Sequence, residues 1–255
     1  PNTTGLNAID YRFTDDTADP PGEADRVHSE ALVRLPHGFQ CYKGDNTVPS
    51  SAKLPYKDRG FITFGSFNNL SKVTPDVIKV WSEILHAIPN ANLLLKAEQL
   101  NYNKPRYLEL FKQEGIHEER LKLYDFLSET QDHLSLYKSI DIGLDPFPFN
   151  GATTTCEALW MGIPIITLLG DRHSGRVGAS ILSNIGLNDF IAHDISTYVQ
   201  IAIKMAGNID YLQKIRQGLR TKMQNSSLCN GSSFAKDIEL AYREIWKRHI
   251  EKGDF

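Results

Sequence analysis

The chain has 255 residues, 41% of them hydrophobic and 23% charged, with a formal net charge of −3. That is globular composition, with apolar material for one large core or two modest ones. Acidic and basic residues are mixed along the chain, which excludes a broad basic face for nucleic acid, and no apolar run approaches the roughly 20 residues that span a membrane.

The polar start PNTTGLNAID lacks the basic and apolar regions of a secretion signal, and a chain opening on Pro1 rather than methionine reads as a piece of something longer. Cys41, Cys156 and Cys229 are odd in number and widely spaced, which suits a reducing compartment rather than a disulfide framework. The expected location is the cytoplasm, or also the nucleus in a eukaryote.

From residue 1 to about 60 the chain is rich in Pro, Asp and Gly, with one short helix expected around EADRVHSEALVRL, and reads as poor core material. At Phe61 the character changes. FITFGSF predicts a buried strand, and Thr74-Pro75 an N-cap followed by proline at the first helical position. Val77, Val80, Trp81, Ile84 and Ile88 then recur at helical spacing up to Pro89. ANLLLK is the next strand, followed by a helix from about Lys104 to Glu114 stopped by Gly115, then strand RLKLYDF. A helix over 130–139, strand DIGLD, a helix over 153–161, strand IPIITL and a helix over 174–185 closed by Gly186 complete the alternation. From Ser196 onward the chain reads as helical, with Phe234, Ile238, Ala241 and Ile245 forming an apolar stripe. Alternation at this spacing predicts an α/β fold, a Rossmann-like parallel sheet with helices on both faces.

In such a sheet ligands sit at the carboxyl ends of the strands, so the loops that follow strands carry the information. NGATTTCE follows DIGLDPFPF and opens a helix. Free backbone N–H groups and partial positive charge at a helix start hold an anion with no basic residue, Gly151 and Ala152 allow close approach, and Thr153, Thr154 and Thr155 supply hydroxyls. One threonine as an N-cap with two fillers explains the same residues, and the local sequence does not separate the two readings. Glu157 suits either the helix dipole or ribose hydroxyls. Lys72 is the one cation in the loop Asn68–Lys72, placed to neutralise a leaving diphosphate or simply to face solvent. Asn69 favours a turn, and His133, in the loop that begins at Ser128 and Thr130, is either a donor to phosphate or sugar or an exposed histidine. His173, Ser174 and Arg176 form a further polar loop that helix capping explains nearly as well. The eight histidines show no HxxxH or HExxH spacing, so no metal is expected; GxGxxG, GxxxxGK[ST] and GxSxG are all absent.

Taken together, FGSFNNLSKVTPDVIKVWSEILHAIPNANLLLK, NGATTTCEALWMGIPIITL and CNGSSFAKDIELAYREIWK resemble the carboxyl-terminal half of the SPINDLY and O-linked N-acetylglucosamine transferase family, closer to the SPINDLY branch. The resemblance covers nearly the whole chain. It implies the carboxyl-terminal lobe of a GT-B glycosyltransferase, with residues 1–60 as the tail of the amino-terminal lobe or a linker and residues 61–255 as the nucleotide-sugar-binding lobe. It places the motif lysine, which assists departure of the diphosphate, on Lys72, donor contacts on Asn69 and His133, and the threonine pair that holds phosphate on Thr153 and Thr154; Ser128, Thr130 and Thr155, in the same loops, are taken as further donor-binding candidates. Glu157 takes the ribose-binding position, where the N-acetylglucosamine branch has aspartate. Ala152 and Leu136 replace a histidine and an arginine of that branch, so the donor is left between UDP-N-acetylglucosamine and GDP-fucose. The implied activity is inverting sugar transfer to Ser or Thr of proteins, with no cofactor, and with the amino-terminal lobe and helical repeats as partners supplied from outside this chain. The competing readings are a sugar-nucleotide epimerase, a GT-B transferase acting on glycans, and a donor-binding fragment inactive on its own.

Overall fold

The structure is a computed structural model that describes residues 2–51 and 53–252. In chain order its elements are β1 (Tyr11–Thr14), β2 (Ala31–Arg34), α1 (Tyr56–Arg59), β3 (Thr63–Ser66), α2 (Pro75–Ala87), β4 (Asn92–Lys96), α3 (Leu100–Gln113), β5 (Leu121–Tyr124), α4 (Thr130–Leu136), β6 (Ile142–Leu144), α5 (Thr153–Trp160), β7 (Ile165–Leu168), α6 (Val177–Asn184), β8 (Ile191–Ala192), α7 (Ile195–Gly207), α8 (Ile209–Gln224) and α9 (Gly231–Lys252).

Six strands form one parallel sheet in the order β5-β4-β3-β6-β7-β8. Every residue of β3 and β6 is buried, so both faces of the sheet centre are covered, as a parallel sheet requires. The chain builds outward from β3 to β5 and then returns to the other side of β3 with β6. That reversal is a topological switch point, the place where loops part and leave a crevice at the carboxyl edge. Around the sheet, α2 presents Val77, Trp81 and Ile84 to the core, and its start is capped by Thr74, which accepts the Val77 N–H.

Local signals misplace several boundaries. The helix expected around EADRVHSEALVRL is a single 3-10 turn, Ala24–Arg26, followed by strand β2, whose pairing with β1 in the register Tyr11↔Ala31 overrides helical propensity. Helix α3 starts at Leu100, ahead of Pro105, because the Asp125 carboxylate beyond β5 accepts the Asn101 N–H and caps it from a distance. Helix α6 begins at Val177, since residues His173–Gly175 form a separate 3-10 turn, and the two-residue strand β8 carries too short a pattern to be read. The first sixty residues also hold more core than their composition suggests: Ala18, Leu35, Val48 and Leu54 are all buried.

One buried cation fixes the segment before β3. Arg216 of α8 is 1% exposed and donates to the carbonyls of Ile140, Asp141, Ser51 and Lys53. Burial brings its pKa down to about 10, with the Asp141 charge opposing. Asp141 in turn accepts the N–H groups of Tyr56 and Thr63, so the entry into β3 is held by side chains from α8 and from the entry into β6.

Candidate functional site at the switch point

The exits of β3 and β6 lie side by side, and two loops meet there. After β3, Asn69 caps a 3-10 turn, Leu70–Lys72, by accepting the Ser71 N–H at 2.9 Å. This turn aims Lys72 across the switch point. Its ammonium donates to the Asn150 carbonyl at 2.7 Å and sits 4.1 Å from the centroid of the Phe149 ring. Burial lowers the Lys72 pKa, and the charge of Asp145 works the other way.

Asp145 directly follows β6 and is buried. Its carboxylate accepts the Gly151 N–H and the Thr167 hydroxyl, both at 2.7 Å, which holds the glycine turn against the sheet. Burial pushes its pKa up to about 7 against those two hydrogen bonds and the Lys72 charge. The turn needs glycine for space: a Cβ on Gly151 would stand 2.6 Å from the Thr155 hydroxyl, 2.7 Å from that of Thr154 and 3.0 Å from Asn68 Oδ1. Helix α5 then begins without a side-chain cap at Ala152, so its first N–H groups are left for another acceptor.

The three threonines part company. Thr153 is exposed at the helix start, Thr154 is half-buried and donates to Asn68 Oδ1 at 3.0 Å, and Thr155 is buried at 2% exposure beneath the turn. One turn further on, Glu157 and His133 meet: His133 Nε2 lies 3.0 Å from Glu157 Oε2, and the imidazole packs against Phe67 and Tyr137. His133 Nδ1 is buried with no hydrogen-bond partner among the described residues. Ser128 and Thr130 stand exposed at the mouth of the same loop, outside the hydrogen-bonded cluster.

The structure thus brings Lys72, Thr154, His133 and Glu157 onto one edge, with Asn69 shaping the turn and Thr153 at the helix start. It adds residues that sequence reasoning passed over. Asp145 had a signal, an acid enclosed in the apolar run DIGLDPFPF. Asn150 contributes its backbone, which no side-chain motif reports. Lys96, the last residue of β4, is 8% exposed, and the electrostatic pull of Glu157 reaches it. Among the described residues there is no cluster of three or more His, Cys, Asp or Glu that could hold a metal ion, and no helix is long and apolar enough to cross a membrane.

A parallel sheet whose switch point carries a glycine turn, an uncapped helix start and a half-buried ammonium defines a Rossmann-like lobe. Known proteins narrow the class. The chain belongs to glycosyl transferase family 41, whose model matches residues 45–238. It is 43% identical over 256 aligned positions to the probable UDP-N-acetylglucosamine–peptide N-acetylglucosaminyltransferase SPINDLY of Solanum lycopersicum, covering 100% of this chain and 27% of that protein. The SPINDLY protein of Arabidopsis thaliana is 42% identical, again over the full chain and 28% of the relative. Among solved structures, a mutant of the Thermobaculum terrenum O-GlcNAc transferase superposes with a TM-score of 0.92 at 34% identity, over 99% of this chain and 48% of that one. The fold is that of the carboxyl-terminal lobe of a GT-B glycosyltransferase, and the chain spans about a quarter of the length of the curated relatives it matches.

Proposed function

We propose that this chain is the donor-binding lobe of a protein O-glycosyltransferase, which moves a sugar from a nucleotide diphosphate sugar to a Ser or Thr hydroxyl with inversion. One observation carries the reading: the Lys72 ammonium is delivered to the uncapped start of α5 at the switch point. A diphosphate laid there meets backbone N–H groups, the hydroxyls of Thr153 and Thr154, and a cation, all fixed before it arrives. As the glycosidic bond lengthens, negative charge grows on the diphosphate. Preorganised donors stabilise that charge, each worth about 3 kcal/mol in typical sites.

Glu157, held by His133, is the acceptor for ribose hydroxyls, and Ser128 and Thr130 border the cleft on the base side. The relatives' names point to UDP-N-acetylglucosamine and peptide acceptors. Ala152 and Leu136, which replace charged or polar residues of the N-acetylglucosamine branch, keep GDP-fucose beside it as a donor. Residues 1–60 act as the tail of the amino-terminal lobe, and the acceptor protein is held by parts of the protein beyond this chain, in the cytoplasm or nucleus.

The test is product analysis on the whole protein with a Ser/Thr peptide and each of the two sugar nucleotides. A peptide mass raised by one sugar supports the reading. Conversion of the sugar nucleotide with the peptide unmodified would replace it with an epimerase.

A further inference from the structure

The turn that carries Lys72 is held from α3. The buried residues of that helix are Leu100, Tyr107 and Phe111, at i, i+7 and i+11, so they share one face, and Tyr107 extends its hydroxyl from that face to the loop after β3. The hydroxyl donates to the Leu70 carbonyl at 2.8 Å and lies 3.5 Å from the Val73 carbonyl. Those two residues bracket Lys72. The Val73 N–H donates to the same Leu70 carbonyl at 3.0 Å, so Tyr107 grips the bond that closes the turn.

The turn itself is short. It is a 3-10 turn of three residues, none of them buried, with backbone bonds from Lys72 to Asn69 and from Val73 to Leu70, both at 3.0 Å. The Asn69 side chain caps its start, and Tyr107 holds its end. Tyr107 is 4% exposed, and burial raises its pKa while the Arg106 charge opposes, so the hydroxyl keeps its proton and remains a donor. A lysine stem is flexible. Its ammonium reaches the Asn150 carbonyl and the Phe149 ring reproducibly only while the backbone it springs from is fixed.

Granting the donor site described above, we propose that Tyr107 is a positioning residue for sugar transfer: its hydroxyl clamps the Leu70–Lys72 turn so that the Lys72 ammonium meets the diphosphate as the glycosidic bond breaks. The hydroxyl faces the turn's own carbonyls, so Tyr107 acts through Lys72. The clamp therefore bears on rate more than on affinity. In the bound donor the diphosphate is already held by the α5 N–H groups and the threonine hydroxyls, and the ammonium counts most for the further charge that grows as the sugar departs. Misplacing such a group by about 1 Å costs on the order of 100-fold in rate, so losing one of the contacts that fix the turn is expected to cost about tenfold.

A double-mutant cycle in the whole protein tests this, with kcat measured for transfer to a Ser/Thr peptide from whichever of UDP-N-acetylglucosamine and GDP-fucose the wild type uses. Tyr107→Phe keeps the buried ring and removes only the hydroxyl. It is expected to lower kcat about tenfold and to leave the donor Kd within about twofold. In a Lys72→Met background, where no ammonium remains to be aimed, the same change is expected to alter kcat by less than about twofold. A loosened core would slow both backgrounds alike, so an equal factor in the two overturns the inference. Full activity in Tyr107→Phe overturns it too, as does a donor Kd that weakens as much as kcat falls. A Tyr107→Phe protein that urea unfolding shows to be unfolded makes the hydroxyl structural and has the same force. A wild type that modifies no peptide with either donor overturns the proposed function itself, and the clamp with it.

Discussion

Asp145→Asn probes the buried centre of the site. Asp145 carries a carboxyl whose pKa is pushed from 3.8 to about 7, chiefly by burial. A group with a raised folded pKa binds more protons when folded than unfolded between those two values. Its favourable contribution is therefore complete below about pH 4 and is lost as the pH rises through about 7. A rise of roughly three pH units, at about 1.4 kcal/mol each, makes the whole effect about 4 kcal/mol. Asparagine does not titrate, and it fills the same space: its oxygen accepts the Gly151 N–H, and its amide donates to a Thr167 hydroxyl turned to receive it. Urea unfolding of both proteins from pH 4 to pH 8 isolates this one group, because every other titration is shared. The wild type should lose about 4 kcal/mol relative to the variant across that range, most of it between pH 5 and 7. A difference that stays flat would mean Asp145 is ionised throughout, with Thr167, Gly151 and Lys72 outweighing burial.

Further outcomes follow from neighbouring contacts. In the whole protein, Lys72→Met should lower kcat by about 100-fold or more with only a few-fold change in donor Kd; equal losses would assign Lys72 to binding alone. Gly151→Ala puts a methyl 2.6 to 3.0 Å from Thr155, Thr154 and Asn68, so pyrophosphate affinity measured by calorimetry should fall about tenfold, with about 1–3 kcal/mol of stability lost from the displaced turn. Unchanged affinity would place the phosphate elsewhere. Arg216→Met leaves the carbonyls of Ile140, Asp141, Ser51 and Lys53 without their donor, and should cost about 3 kcal/mol or more in urea unfolding; a loss under about 1 kcal/mol would show that water replaces the guanidinium.

The sheet from β3 to β7 was legible because these strands are short, largely apolar runs of three to five residues separated by helices with strong ends. Thr74-Pro75 and the glycines at 115 and 186 mark such ends by local chemistry alone. What escaped the sequence depends on contacts made at a distance. The start of α3 is set by Asp125 across the next strand, and β2 exists because β1 is beside it. The site shows the same division. Lys72, Thr154, His133 and Glu157 stand in the turns and helix starts that follow strands, where position suggests a role. Lys96 lies inside the strand ANLLLK, where a lysine reads as a solvent-facing end, and only the β4–β5 pairing sets it beside Phe126. Three consecutive threonines look equivalent in a string of letters, but the 100° rotation per residue of a helix turns one to solvent, one to Asn68 and one into the core.

The first sixty residues bear on the site although none of them lies at the exits of β3 and β6. Asp15 accepts the Ser180 hydroxyl of α6, and Asp19 binds His173 Nδ1 at 2.7 Å. Arg176 donates to the Thr17 carbonyl at 2.7 Å and to Gly170 at 3.0 Å. These contacts fix the loop between β7 and α6, and that loop fixes the next one, since the Ser174 carbonyl accepts the Asn150 N–H at 2.9 Å. Asn150 is the residue whose own carbonyl receives Lys72. A chain of hydrogen bonds therefore runs from the acidic segment after β1, through the exit of β7, to the ammonium at the switch point. Burial of both Asp19 and His173, each at 5% exposure or less, keeps water from competing for that link. The segment that looked like polar connector in the sequence thus acts as the outer brace of the glycine turn, holding the Asn150 carbonyl where Lys72 meets it.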